Sequence, residues 1–216
     1  MSDKQSPAAA AGAAPAASVI DFYFDFNSPY GYFASTRIDA LAAKYGRSVR
    51  WHPLLLGAVF KAIDTRTPAE TPLKRDYFWR DVARSARHHG IGYRRPSVFP
   101  FASQHASRAM LWLQRTHGAA AAIAFAHRVF RATFERNIDV GQVAAVLDIA
   151  AEAGADRAAL ATALETPEVK EMLKSEVAQA LEYGVFGAPY MIVDGEPFWG
   201  FDRFDQLETF MQNGAI

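Results

Sequence analysis

The sequence predicts an α/β fold because it begins with a strand–helix–strand unit, continues with a block of helices, and ends with two strands and a helix. Polar and apolar residues alternate over residues 19–26, which is the period of a strand and places Asp25 on the face opposite Phe24. A helical pattern runs from Pro29 to about Tyr45, and residues 49–55 form the next predicted strand. This opening order favours a parallel pair of strands.

The middle of the chain has only helical patterns. Three helices are expected to begin with an N-cap Ser or Thr followed by proline, at residues 28–29, 71–72 and 166–167. Ser103 is a further candidate cap. The predicted helices in this block cover about residues 72–89, 103–118, 119–135, 141–153, 157–164 and 167–183.

The end of the chain returns to strands. Residues 190–193 are apolar, Asp194-Gly195 is a strong two-residue hairpin signal, and residues 196–199 form the returning strand. An amphipathic helix is expected from Asp202 to Gln212.

Composition excludes several classes of protein. The 216 residues suit one domain, or one domain with a large insertion, and the 23 basic residues balance the 23 acidic ones. A neutral chain has no general field for nucleic acid, and no apolar run is long enough to span a membrane. Because cysteine is absent, no disulfide, thiolate metal site or cysteine nucleophile is possible, so any thiol chemistry needs a thiol supplied by a ligand.

The first 18 residues are rich in Ala and Pro and lack the basic start and leucine-rich core of a signal peptide. We therefore expect a disordered tail over residues 1–18 and a cytoplasmic protein.

Ser28 is the first candidate functional residue. It lies at a strand-to-helix turn, where it is expected to be the N-cap of the first helix, with Pro29 at the first helical position. A helix N-terminus favours anions, so a hydroxyl here could serve a bound thiolate or carboxylate. These residues alone favour a cap without a catalytic role over a catalytic hydroxyl.

Gly187-Ala188-Pro189 precedes the third strand and is a candidate for a cis proline. A cis bond would expose the backbone groups of Ala188 to an extended ligand. The alternative is a trans proline that only begins the strand.

Three segments of the chain have a recognisable pattern: Phe24-Asp25-Phe26-Asn27-Ser28-Pro29-Tyr30, Gly184-Val185-Phe186-Gly187-Ala188-Pro189 and Trp199-Gly200-Phe201-Asp202-Arg203. They resemble segments of the 2-hydroxychromene-2-carboxylate isomerases, which are relatives of kappa-class glutathione transferases. The resemblance covers about residues 19–212. It implies an α/β thioredoxin-like fold with a large all-helical insertion. Residues 19–60 and 184–214 would form the thioredoxin-like domain, and residues 61–183 the helical insertion.

The resemblance also implies a glutathione site. Ser28 would donate a hydrogen bond to the glutathione thiolate, and Ala188, before Pro189, would pair its backbone with the cysteinyl part. Trp199, Gly200, Phe201 and Asp202 would bind the γ-glutamyl end, with Asp202 facing the ammonium group. An acid in the first turn of a helix also stabilises that helix without a ligand, so both roles stay open for Asp202.

The family's substrate is an aromatic carboxylate, and by position Lys61 and Lys74 are the expected anion contacts. Several arginines and lysines lie in the same region, and such a face is often simply solvated. Family members often have Gly-Asn-Arg-Pro in the loop after Lys61, whereas this chain has Asp64-Thr65-Arg66-Thr67. The exact substrate is open at this point.

Other chemistries have little support. The six histidines form no metal-binding motif, and no nucleophile elbow or phosphate-binding glycine loop is present. The expected activity is a glutathione-dependent cis–trans isomerisation by reversible addition of the thiolate. The alternatives are a kappa-like glutathione transferase and a non-catalytic glutathione- or peptide-binding module. Relatives often pair, so a homodimer is also expected.

Overall fold

The computed structural model describes residues 19–216, and the predicted tail over residues 1–18 lies outside this described part. Its strands are β1 (Val19–Phe24), β2 (Ser48–Pro53), β3 (Tyr190–Val193) and β4 (Glu196–Trp199). Its helices are α1 (Pro29–Ser35), α2 (Ile38–Lys44), α3 (Leu56–Ala62), α4 (Lys74–His88), α5 (Gln104–His117), α6 (Ala119–Phe134), α7 (Val143–Glu152), α8 (Arg157–Glu165), α9 (Pro167–Glu182) and α10 (Phe204–Asn213). A short 3₁₀ helix, Phe201–Arg203, precedes α10.

The four strands form one mixed sheet in the order β2-β1-β3-β4. β1 runs parallel to β2, as the opening strand–helix–strand unit predicts, and antiparallel to β3. β3 and β4 form the predicted hairpin, in which Asp194 and Gly195 have positive φ angles of 52° and 87°. These features confirm the thioredoxin-like fold with a helical insertion between β2 and β3, while the domain boundaries stay a prediction.

One face of the sheet shares its core with the insertion. Phe24 of β1 lies 5.4 Å, centroid to centroid, from Phe130 of α6, and both rings are fully buried. Phe26, just beyond the strand, contacts the same ring at 5.1 Å. The sheet and the helical block therefore hold the end of β1 firmly between them.

The other face of the sheet is covered by α9. His52 of β2 lies between two carboxylates. Its Nε2 is 2.9 Å from the carboxylate of Asp21, and its Nδ1 contacts the carboxylate of Glu176 of α9. The ring of His52 also stacks on Tyr23 at 4.5 Å. These contacts fix α9 against the sheet on the side away from α1.

Some predicted helix limits were wrong. The single helix expected from Pro29 to Tyr45 is interrupted at Thr36, whose hydroxyl and N–H both donate to the Phe33 carbonyl. The helix expected to begin at Thr71-Pro72 begins at Lys74. The Thr71 hydroxyl donates back to the Thr67 carbonyl, and Leu73 at the cap position has a φ of 66°.

Candidate active site

A cavity of about 1120 Å³ opens where the end of β1 meets the N-terminus of α1. One side is formed by the first turn of α1, residues 187–189 and residues 199–203. The other side is formed by α3, α4 and residues 99–104 of the insertion. This volume slightly exceeds the usual range for small-molecule sites, about 300–1000 Å³, so it can hold two ligands side by side.

Ser28 lies in this cavity as the N-cap of α1, as predicted, and is 5% exposed. Its Oγ accepts a hydrogen bond from the Gly31 N–H at 2.9 Å and donates one to the Ala188 carbonyl at 3.2 Å. The second bond is long for a hydroxyl donor, whose usual distance is about 2.7–2.8 Å. The hydroxyl is therefore positioned by the helix and free to donate to a better acceptor.

Residues 187–189 lie next to Ser28 on the same side of the cavity. The Ala188-Pro189 bond is cis, one of the two geometries left open by the sequence. Within the described part of the chain, the Ala188 N–H has no hydrogen-bond partner, while its carbonyl accepts from Ser28. A backbone donor with no partner, facing a cavity, can bind an extended ligand as an added strand would.

Gly187 lies under the indole of Trp199. A Cβ built on Gly187 would come within 2.5 Å of the indole Nε1, which is closer than real side chains approach. Trp199 is 54% exposed and its ring lies 4.9 Å from that of Phe186. The glycine therefore lets this aromatic side chain close over the end of the cavity.

Gly200 connects Trp199 to the last helices. Its φ of 107° is a conformation that side chains other than glycine rarely adopt, and a Cβ there would lie 2.4 Å from Oδ1 of Asp202. Asp202 lines the cavity in the 3₁₀ helix and pairs with Arg203 at 3.0 Å. Its carboxylate is thus available at the rim, although a ligand ammonium would compete with Arg203.

Asp25 is a cavity residue that the sequence analysis missed. The strand ends at Phe24, so the alternation that placed Asp25 on the outer face no longer applies, and the side chain is 2% exposed. Its carboxylate accepts from the N–H groups of Asn27 at 2.9 Å and Leu56 at 2.6 Å. Burial raises the pKa of this carboxyl, and its hydrogen bonds oppose the rise. An aspartate at a strand end often accepts from the backbone N–H two residues on, as in an Asx turn, and this is the local signal that could have identified Asp25.

Asn27 was also missed as a candidate. Its side-chain amide donates to the Phe101 carbonyl at 2.8 Å and accepts from the Phe101 N–H at 3.0 Å. Phe101 follows a second cis bond, Phe99-Pro100, which was not predicted. Because the partners are 74 residues apart, no local pattern could have linked them.

The two predicted anion contacts are placed differently. Lys61 of α3 lines the cavity. Lys74, the first residue of α4, is exposed and is not among the residues that line it. Both assignments stay predictions, with the geometry favouring Lys61.

A polar network links α1 to α4 at the cavity wall. The Tyr30 hydroxyl donates to Asp81, and Arg84 donates to the other oxygen of the same carboxylate. Burial and the contact with Asp81 raise the pKa of Tyr30 above its ordinary value, so the phenol stays protonated. The network holds the first turn of α1 against the wall formed by α4.

Within residues 19–216, no group of three or more His, Cys, Asp or Glu side chains is arranged to hold a metal ion. In the same range, no helix is long and apolar enough to cross a membrane.

The fold and the site define a class of proteins. A family model described as a DSBA-like thioredoxin domain matches residues 19–212. The chain is therefore a DsbA-like thioredoxin-domain protein, in which Ser28 is the N-cap of α1.

More similar relatives narrow the class. The chain is 34% identical over 197 residues to the 2-hydroxychromene-2-carboxylate isomerase of Pseudomonas putida, covering 89% of this chain and 94% of the relative. A solved 2-hydroxychromene-2-carboxylate isomerase superposes with a TM-score of 0.81 at 30% identity, covering 90% of this chain and 94% of that one. The chain belongs to the 2-hydroxychromene-2-carboxylate isomerase family, a family of isomerases.

Kappa-class transferases are related too. Glutathione S-transferase kappa 2 of Caenorhabditis elegans is 27% identical over 211 residues, covering 91% of this chain and 93% of the relative.

Proposed function

We propose that this protein is a glutathione-dependent cis–trans isomerase of 2-hydroxychromene-2-carboxylate or a similar unsaturated aromatic 2-keto acid. The observation that carries the proposal is the position of the Ser28 hydroxyl, at the N-terminus of α1 and inside a cavity large enough for two ligands. The absence of cysteine makes an external thiol necessary for any thiol chemistry at this position.

The residues present fit glutathione. The Ala188 N–H needs an acceptor, which the backbone of a cysteinyl residue provides. Asp202 at the rim offers a carboxylate to an ammonium group, and Trp199 lies beside it. Bound in this way, glutathione would supply a thiolate that adds reversibly to the conjugated double bond of the aromatic acid. That bond would then be single and free to rotate, and elimination of the thiolate would restore it.

Ser28 stabilises the ionised thiol in this proposal. Its hydroxyl turns from the Ala188 carbonyl to the sulfur, exchanging a long neutral hydrogen bond for a charge-assisted one, which is roughly twice as strong. The N-terminus of α1 adds its favourable interaction with negative charge. The Gly31 N–H keeps the Ser28 oxygen in place while the hydrogen reorients.

The insertion side of the cavity binds the aromatic acid. Its apolar wall includes Phe60 of α3, Phe78 of α4 and Phe99, and Lys61 provides a cation for the carboxylate. Aromatic side chains suit a planar ring, and the walls exclude water from the adduct. The chain's part is therefore to bind both molecules next to each other and to keep the thiol ionised.

The first test is a thermal shift with millimolar glutathione. Glutathione at about 100 times its Kd is expected to add about 2.7 kcal/mol to the free energy of unfolding. The second is the ultraviolet spectrum of cis and trans benzylidenepyruvates with enzyme, with and without glutathione. Conversion only with glutathione supports the proposal, and conversion at the same rate without it contradicts the proposal.

A kappa-like transferase is the alternative that the kappa relative favours. It would use the same site but keep the adduct as product. Counting free thiols during turnover separates the two, since an isomerase leaves their number constant. A non-catalytic binding module would show the thermal shift and no spectral change.

We also propose that the protein works in the cytoplasm and as a homodimer. Reducing compartments supply free glutathione, which the reaction needs. Size-exclusion chromatography with light scattering measures the oligomeric state directly.

A further inference from the structure

One wall of the cavity has no regular secondary structure. Residues 89–103 connect α4 to α5 without a helix or strand, and Phe99, Pro100 and Phe101 line the cavity. The backbone groups of such a segment need partners from elsewhere in the protein. Where those partners lie decides how firmly the wall is held.

Asn27 supplies the partner at the centre of this wall. Its side chain binds both the N–H and the C=O of Phe101, at 3.0 and 2.8 Å, as a neighbouring strand would. Asn27 lies directly before Ser28, so the same turn fixes the N-cap of α1 and the position of Phe101.

Asp25 holds the next part of the segment from the same turn. Its buried carboxylate accepts from the Leu56 N–H of α3, and the nearby side chain of Ser103, at the cap position of α5, lowers the pKa of the same carboxyl. The strand end at residues 25–27 therefore contacts α3 and the residue 99–103 wall together.

Apolar contacts complete the wall but do not fix its position. Phe99 packs edge-on against Trp79 of α4 at 4.8 Å, and the guanidinium of Arg95 lies over the Trp79 ring, 4.3 Å from its centroid. Such contacts have no preferred direction comparable to that of a hydrogen bond. The two bonds from Asn27 are therefore what locates Phe101 relative to Ser28.

We propose that Asn27 is a positioning residue for the second substrate: by binding the backbone of Phe101, it sets the distance between the aromatic wall and Ser28 and so determines which aromatic acids fit. This inference rests on the proposed function, because it assigns the Phe99–Phe101 wall to the aromatic acid. Misplacing a bound group by about 1 Å can cost a reaction about a hundredfold, so a displaced wall would change selectivity without touching the glutathione side.

The experiment compares wild type with Asn27→Ala and with Asn137→Gly. Asn137 accepts from the Ser97 N–H at 2.7 Å and has a φ of 57°, which glycine adopts without strain. The control thus removes an amide contact from the same segment at a site away from the cavity. Three quantities are measured: hydrogen exchange of residues 99–103, the Kd of trans-o-hydroxybenzylidenepyruvate from tryptophan fluorescence, and the Kd of glutathione.

Asn27→Ala is expected to speed exchange at Phe101 and to raise the Kd and KM of the aromatic acid about 5- to 20-fold, the effect of two lost hydrogen bonds. The Kd of glutathione is expected to stay within about twofold. Asn137→Gly is expected to leave both affinities unchanged. If Asn27→Ala does not fold, Asn27→Asp replaces it, since aspartate can still accept from the Phe101 N–H but cannot donate to the carbonyl. For that variant the Kd of the aromatic acid, and not exchange at Phe101, decides the outcome.

The proposal is overturned if exchange at Phe101 is unchanged, or if exchange rises and the Kd of the aromatic acid does not. An equal loss of glutathione affinity also overturns it, because Asn27 would then act through α1. Binding of the aromatic acid without turnover, with the expected response to Asn27→Ala, would contradict the isomerase function and support this inference. Failure of the wild type to bind the acid would overturn both.

Discussion

Replacing Ser28 with alanine removes both hydrogen bonds of its hydroxyl and leaves the backbone of α1 in place. A hydrogen bond to a charged group contributes about 1.5–3 kcal/mol. At about 1.4 kcal/mol per pKa unit, its loss should raise the pKa of the bound glutathione thiol by about 1–2 units. The turnover at neutral pH should therefore fall about 10- to 100-fold, and it should recover as the pH is raised.

The assay is the rate of absorbance change of the aromatic acid with glutathione, measured across pH for wild type and Ser28→Ala. The mutation also removes the cap of α1, which costs about 0.5–2 kcal/mol of stability. Thr166→Ala is the matched control, because Thr166-Pro167 begins α9 with the same arrangement and the Thr166 hydroxyl accepts from the Val169 N–H at 3.3 Å. It should lose similar stability and keep the wild-type rate.

Two results would refute this reasoning. If Ser28→Ala keeps the rate and its pH profile, the residue is only a cap. If Ser28→Ala and Thr166→Ala lose activity equally, the loss follows stability and not ionisation of the thiol.

Three further predictions concern the same site. Gly187→Ala should displace the Trp199 indole and weaken glutathione binding several-fold in a titration. Gly92→Ala, whose Cβ would make only ordinary contacts outside this cavity, should not; equal affinities of the two variants would exclude the proposed packing. Asp202→Asn should weaken glutathione binding about 2- to 5-fold, and an unchanged Kd would remove this carboxylate from the site. Burial raises the pKa of Asp25, so the folded chain keeps a proton that the unfolded chain releases. As pH rises from about 4 towards the pKa of Asp25 in the folded chain, the free energy of unfolding of wild type should fall relative to that of Asp25→Asn, by up to about 1.4 kcal/mol per pH unit. Parallel curves of stability against pH for the two proteins would contradict this.

Local sequence signals were sufficient for much of the fold. Alternation identified β1, the Asp194-Gly195 pair identified the hairpin, and the Thr166-Pro167 cap identified the start of α9. Each of these features depends on residues close together in the chain. The resemblance then identified the family, and the structure brings Ser28 and Ala188 within hydrogen-bond distance of each other.

Distant partners explain what the sequence could not predict. α3 was missed because Leu55, at its cap position, makes no side-chain cap; the carboxylate of Asp25, 31 residues earlier, accepts from the Leu56 N–H instead. The contact of Asn27 with Phe101 is equally remote in sequence. Such helix starts and cavity walls depend on tertiary contacts, which leave no periodic pattern in a single sequence.

The central claim is that a thiolate from glutathione is held at the N-terminus of α1. A crystal structure of the protein with glutathione tests this most directly. The account predicts the sulfur within hydrogen-bond distance of the Ser28 Oγ, with the cysteinyl backbone on the Ala188 N–H. A tripeptide bound elsewhere, or with its sulfur turned away from the first turn of α1, would contradict it.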